Sequence, residues 1–228
     1  MSESTPPRRE FLGKLAAGAV ALGLSGTIPS AFAGERRLNS DVTPSDKWLS
    51  ALTGKHRQIF DMPNHENGMG LLHVRNYLNT MRDTYKVKSP DVTAVVTLYG
   101  MTTLLGFNDA MWAKYGLATP IKVVDTSNAP PKANVFYNPP AGSPSLAVAG
   151  APIPIPADTS IAALQQRGAV FILCNNAFNL WMALLGKEKA PELRKEFEAN
   201  ILPGVYLVPA MVVAINQAQT NGCTYMYL

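Results

Sequence analysis

Two short runs, Val92–Tyr99 and Ala169–Cys174, carry no charged side chain and are rich in branched or aromatic residues. A strand with water on one face alternates polar and apolar residues. A continuous apolar run instead predicts a strand covered on both faces, the condition found in parallel sheets. Weaker strand signals occur at Arg57–Met62, Val205–Val208 and Cys223–Tyr227. Between them lie helical patterns. Leu71, Val74, Leu78, Met81 and Tyr85 recur at spacings of three and four, which predicts an amphipathic helix over Gly70–Tyr85. Thr102 or Thr103 can cap a helix reaching Tyr115. Asp158, Thr159 or Ser160 can cap one over Ile161–Gln166, and Asn175-Asn176 one over Ala177–Leu185. Pro191 suits the first turn of a helix to Ala199, and Pro209 opens another to Gln219. Five strands alternating with helices predict a three-layer α/β/α fold around a five-stranded, mostly parallel sheet.

Residues 1–33 read differently from the rest of the chain. Arg8-Arg9 is followed by Phe11-Leu12, an Ala- and Gly-rich apolar run from Leu15 to Leu24, and Ala31-Phe32-Ala33. A charged start, a short apolar stretch and a small-x-small cleavage site describe a signal peptide, and the paired arginines resemble the twin-arginine (Tat) type. Residues 1–33 are thus expected to be an export leader, 34–54 an N-terminal arm with a short helix over Asp46–Leu52, and 55–228 the folded domain. The expected compartment is the periplasm. No later segment reaches transmembrane length, so no membrane association is expected after cleavage. Within the domain, Pro120–Ser160 holds nine of the 18 prolines and only four charged residues. That composition predicts an ordered but irregular insertion.

Composition removes several functions. Twenty Lys+Arg against 16 Asp+Glu is a small excess without a basic block, so nucleic acid is not an expected partner. Two cysteines with no C-x-x-C or H-E-x-x-H leave no structural zinc site, and no metal or cofactor is expected. The dinucleotide, Walker A and G-x-S-x-G motifs do not occur. In a parallel α/β sheet a ligand sits beyond the carboxyl ends of the strands. That edge collects three loops: Pro63–Gly70, Gly100–Thr103 and Cys174–Asn176.

Cys174 ends a buried strand immediately before a helix, where free N–H groups and the helix dipole favour a thiolate. It reads either as a nucleophile or as a small packing residue. Asn175 and Asn176 flank it. His65 falls on the same predicted edge and reads as a proton partner, as half of a weak metal site with Glu66, or as a loop histidine. His56 and His73 read as structural, and Cys223 as a core residue too far from Cys174 for a disulfide. Tyr99, Gly100 and Thr102 form a strand-to-helix turn that can hold an anion on N–H and hydroxyl groups, or can simply be a turn.

The strand Val92–Leu98 with Tyr99-Gly100, the strand Val170–Cys174 ending in cysteine, and the run Leu202-Pro203-Gly204-Val205-Tyr206-Leu207-Val208-Pro209-Ala210 together resemble the DsrE/DsrF-like family with the YchN-like fold. The resemblance covers Lys55 to Leu228 apart from the insertion. It implies a five-stranded parallel sheet, assembly into a homo-oligomer (trimer or hexamer), and a cysteine that carries sulfur as a persulfide. That cysteine would be Cys174, with sulfur reaching it from a small molecule or a protein. The competing expectation is a non-catalytic binding or assembly module in which Cys174 only packs.

Overall fold

The computed structural model describes residues 44–186 and 190–228. The leader expected over residues 1–33, and the arm as far as residue 43, lie outside them. Five strands form one sheet: β1 His56–Asp61, β2 Val92–Leu98, β3 Val170–Cys174, β4 Val205–Val208 and β5 Thr224–Tyr227. Their order is β4-β3-β2-β1-β5, and all four pairings are parallel. Among the described residues, six α-helices accompany them: α1 Met69–Asp83, α2 Asp109–Tyr115, α3 Ile161–Gln166, α4 Asn175–Gly186, α5 Ala190–Glu198 and α6 Met211–Thr220. The three-layer α/β/α fold expected from the strand pattern is the fold observed.

Handedness explains how the layers are filled. From β1 to β4 the chain steps across the sheet in one direction, so right-handed crossovers place those connections on one face. The step from β4 to β5 returns past β1, and its helix, α6, must cover the other face. The two cores follow this division. Phe60, Val96, Leu98, Phe171 and Leu173 pack with Leu71 and Leu78 of α1, Trp112 of α2, Phe178 of α4 and Phe197 of α5. Their strand neighbours Ile59, Val95, Ile172 and Cys174 point the opposite way, onto Met211, Ala214 and Ala218 of α6 and onto Trp48 and Leu52. Trp48 lies in a 3-10 helix, Pro44–Ala51, at the place of the short helix expected in the arm.

One expected helix is broken. The segment after β2 forms a 3-10 helix, Gly100–Gly106, then an extended Phe107, and only then α2. Asn108 provides the reason, because its side chain accepts the Met111 N–H at 3.2 Å. That bond caps a new helix start. Phe107 meanwhile bridges to Ile201.

The Pro-rich segment is irregular, and it is anchored in the larger core by Ile121, Val123, Phe136 and Ile155. Its buried Asn134 donates to the carbonyls of Leu105 (2.9 Å) and Phe107 (2.8 Å), and its backbone N–H reaches Asp109 at 2.8 Å. A buried amide satisfied in this way pins the insertion to the 3-10 helix and α2.

Candidate functional site at the carboxyl edge of the sheet

The connection that leaves β1 and the one that reaches β5 run over opposite faces. The crevice of such a sheet opens where neighbouring strands part in this way, at their carboxyl ends. Asp61, the last residue of β1, occupies that point and is only 4% exposed. Its carboxylate accepts from Tyr225 Oη at 2.6 Å and from Thr97 Oγ1 at 3.2 Å. The carboxylate in turn stabilises the phenol form of its neighbours. Its hydrogen bond pushes Tyr225 up to about 12. Tyr99 is raised well above the ordinary tyrosine value, first by burial and then by Asp61.

Cys174 lies two strands away on the same face. One step beyond the paired residues Leu98 and Leu173 are Tyr99 and Cys174, and both pack in the α6-side core. Cys174 Sγ accepts the Ala177 N–H at 3.5 Å and the Met211 N–H at 3.3 Å. These are first-turn amides of α4 and of α6. Two helix N-termini therefore converge on one sulfur. The thiol is 5% exposed, and both cysteines are free.

Sulfur thus performs the N-cap task expected of the asparagines, because α4 begins at Asn175 itself. Asn175 Oδ1 instead accepts from Arg194 at 2.7 Å, and the same guanidinium stacks on Phe178. Asn176 is exposed, and no hydrogen bond holds its side chain to Cys174 among the described residues. Arg194 reaches Asn175 from α5, 19 residues on in the chain.

The other candidates are held in place by the protein itself. His65 Nε2 lies 2.8 Å from the Ile121 carbonyl and Nδ1 accepts the Asn67 N–H at 3.1 Å. An acceptor at one nitrogen and a donor at the other assign the ring proton to Nε2. The ring packs beside Phe136 of the larger core, whereas Cys174 belongs to the core on the other face. No hydrogen bond joins the two among the described residues. Thr102 is fully buried; its hydroxyl donates to the Met62 carbonyl at 2.6 Å and accepts the Tyr99 N–H at 3.0 Å. The Met101 and Thr102 amides both point to the Pro63 carbonyl, so the donors an anion would need are engaged within the loops. Gly100 has a positive φ of 60°, and a Cβ there would sit 2.9 Å from the Pro63 oxygen. Glycine lets the two loops close on each other.

A cavity of about 290 Å³ lies beside His65, bounded by Asn64, Asn67, Met101 and Lys122. Two larger ones, of about 460 and 550 Å³, open at the amino end of the strands instead. Among the described residues, no three His, Cys, Asp or Glu side chains gather as a metal site, and no helix is long and apolar enough to cross a membrane.

Asp61 and Tyr225 do not stand out in the sequence. Asp61 reads as the start of a turn and Tyr225 as an edge-strand residue, yet an acid directly after the apolar pair Ile59-Phe60 is the available signal. The fold and this edge define a class: a parallel three-layer α/β/α protein with a buried thiol and a tyrosine-bound carboxylate on one face. No protein-family model matches the chain, nor does any curated protein or solved structure.

Proposed function

We propose that this chain is an exported, periplasmic protein of the DsrE/DsrF-like kind that carries sulfur on Cys174. The observation that carries the reading is the pair of N–H groups, from Ala177 and Met211, that meet at Sγ. The same two donors can hydrogen-bond a persulfide built on that sulfur. In the transfer step the Cys174 thiolate attacks the outer sulfur of a donor R–S–SH. The donor's S–S bond breaks, R–S⁻ leaves with the electron pair, and Cys174–S–SH remains. No external oxidant is needed. Exposure of only 5% favours a small donor, such as inorganic polysulfide, over a docked protein. Assembly into a homo-oligomer belongs to the same proposal and is supported by exposed Leu180 and Leu184 on α4, Val212 on α6 and Tyr227 on β5.

Intact-mass measurement after incubation with inorganic polysulfide tests it. A mass excess of one sulfur is expected in the native chain and in Cys223→Ser, and no excess in Cys174→Ser. A native chain that gains no sulfur, or a Cys174→Ser variant that still gains it, overturns the proposal. The competing reading, a binding or assembly module in which Cys174 only packs, is favoured by the apolar neighbours of the thiol. It expects the first of those refuting results, with an unchanged oligomer in Cys174→Ser.

A further inference from the structure

The larger amino-edge cavity lies at the far end of the sheet from Cys174, between the C-terminus of α1 and the end of α3. Its floor is apolar, formed by Leu78, Val87 and Val92, and its rim carries Arg82, Lys86, Lys88 and Arg167. No acidic side chain lines it among the described residues.

Two of the four cations are already committed. Arg82 donates to both carboxylate oxygens of Asp83, at 2.6 and 2.8 Å. Lys86 Nζ closes the end of α1 by donating to the Asp83 carbonyl at 2.5 Å. The other two are not. Arg167 is half-buried and donates to the neutral amide oxygen of Asn79 at 2.8 Å, and no ion pair joins it among the described residues. Lys88 has no side-chain partner among them either. Burial lowers the Arg167 pKa below the ordinary guanidinium value, and the like charges of Arg82 and Arg75 add to it against a partial offset from Asp158 and Asp83. A half-buried cation with like charges around it gains when an anion arrives.

We propose that this groove binds a small amphiphilic anion: a carboxylate or phosphate head between Arg167 and Lys88, with a short apolar body over Leu78, Val87 and Val92. The apolar floor separates this ligand from a bare inorganic anion. The cationic rim separates it from a neutral lipid-like molecule. The site does not depend on Cys174.

Calorimetric titration of the full chain with octyl phosphate, octanoate, inorganic phosphate and octanol tests the assignment. Saturable binding of octyl phosphate or octanoate is expected, at least about tenfold tighter than inorganic phosphate or octanol. The better of the two anions identifies the head group. Arg167→Gln should weaken it about tenfold. Lys88→Gln, an exposed residue with no partner to lose, should weaken it severalfold and keeps the test decisive if Arg167→Gln does not fold. Added salt should weaken binding as well. Equal binding of inorganic phosphate and octyl phosphate, no saturable binding, or unchanged affinity in Lys88→Gln would each overturn the assignment.

Discussion

Thr97→Val isolates the support beneath Asp61. Valine has nearly the shape of threonine, so the change removes a hydroxyl and leaves the packing volume in place. Thr97 is fully buried, and its Oγ1 accepts the Met62 N–H at 2.8 Å while donating to Asp61 at 3.2 Å. Met62 follows the last paired residue of β1, and its N–H has no other acceptor among the described residues. Valine therefore leaves one buried N–H unpaired, which costs about 1–3 kcal/mol, and it removes one donor from a buried carboxylate. The second bond is long, so the combined expectation is about 3 kcal/mol. For a domain of this size each kcal/mol shifts Tm by about 2–4 °C, which gives a fall of roughly 6–12 °C. Urea unfolding followed by circular dichroism measures it, with the slope m unchanged. Thr97→Ser keeps both hydrogen bonds and loses a methyl group, at about 1 kcal/mol. If the valine variant is as stable as the serine variant, the hydroxyl is not what holds Met62 and Asp61 in register.

Two further outcomes are expected. Tyr225 is held as a phenol by Asp61, and Tyr99 by burial first and Asp61 second, so both folded pKa values lie above the unfolded value of about 10. Their contribution to stability is complete below that pH; that of Tyr225 is lost as pH rises from about 10 toward about 12, and that of Tyr99 only at higher pH still. Ultraviolet titration of tyrosinate should show this delay, and Asp61→Asn should bring Tyr225 back toward the ordinary value; an unchanged titration in that variant rejects the link. At the other end of the sheet, a Cβ on Gly54 would sit 2.7 Å from the backbone carbonyl carbon of Asp91. Backbone gives way less easily than a side chain, so Gly54→Ala should cost about 1–3 kcal/mol by thermal unfolding.

The proposed sulfur site and the proposed anion groove lie at opposite ends of one sheet and fail separately. Loss of sulfur loading leaves the Arg167 groove untouched, and loss of octyl phosphate binding leaves Cys174 with its two amides.

How far the sequence reaches can be judged from particular residues. The runs Val92–Leu98 and Val170–Cys174 announce buried parallel strands because apolar continuity is a local property. The turn after β1, the Ser160 cap of α3 and the start of α5 beside Pro191 are legible for the same reason. Cys174 ahead of a helix is legible as well, and so is its position on the carboxyl edge. The role of His65 is not, because its Nε2 partner is a carbonyl 56 residues away. Nor is the N-cap carried by sulfur in place of asparagine, since this depends on the helix beginning at Asn175 itself.

Strand order, face and register belong to the tertiary structure alone. Tyr225 meets Asp61 across 164 residues because β5 returns to the free side of β1. Met211 delivers its N–H to Cys174 because a right-handed return crossover carries α6 over the face opposite α1. A one-residue slip in any of these pairings would send the same side chains to the other face. Periodicity encodes that strands and helices form, whereas the energy that selects their neighbours comes from burying both faces of the sheet at once.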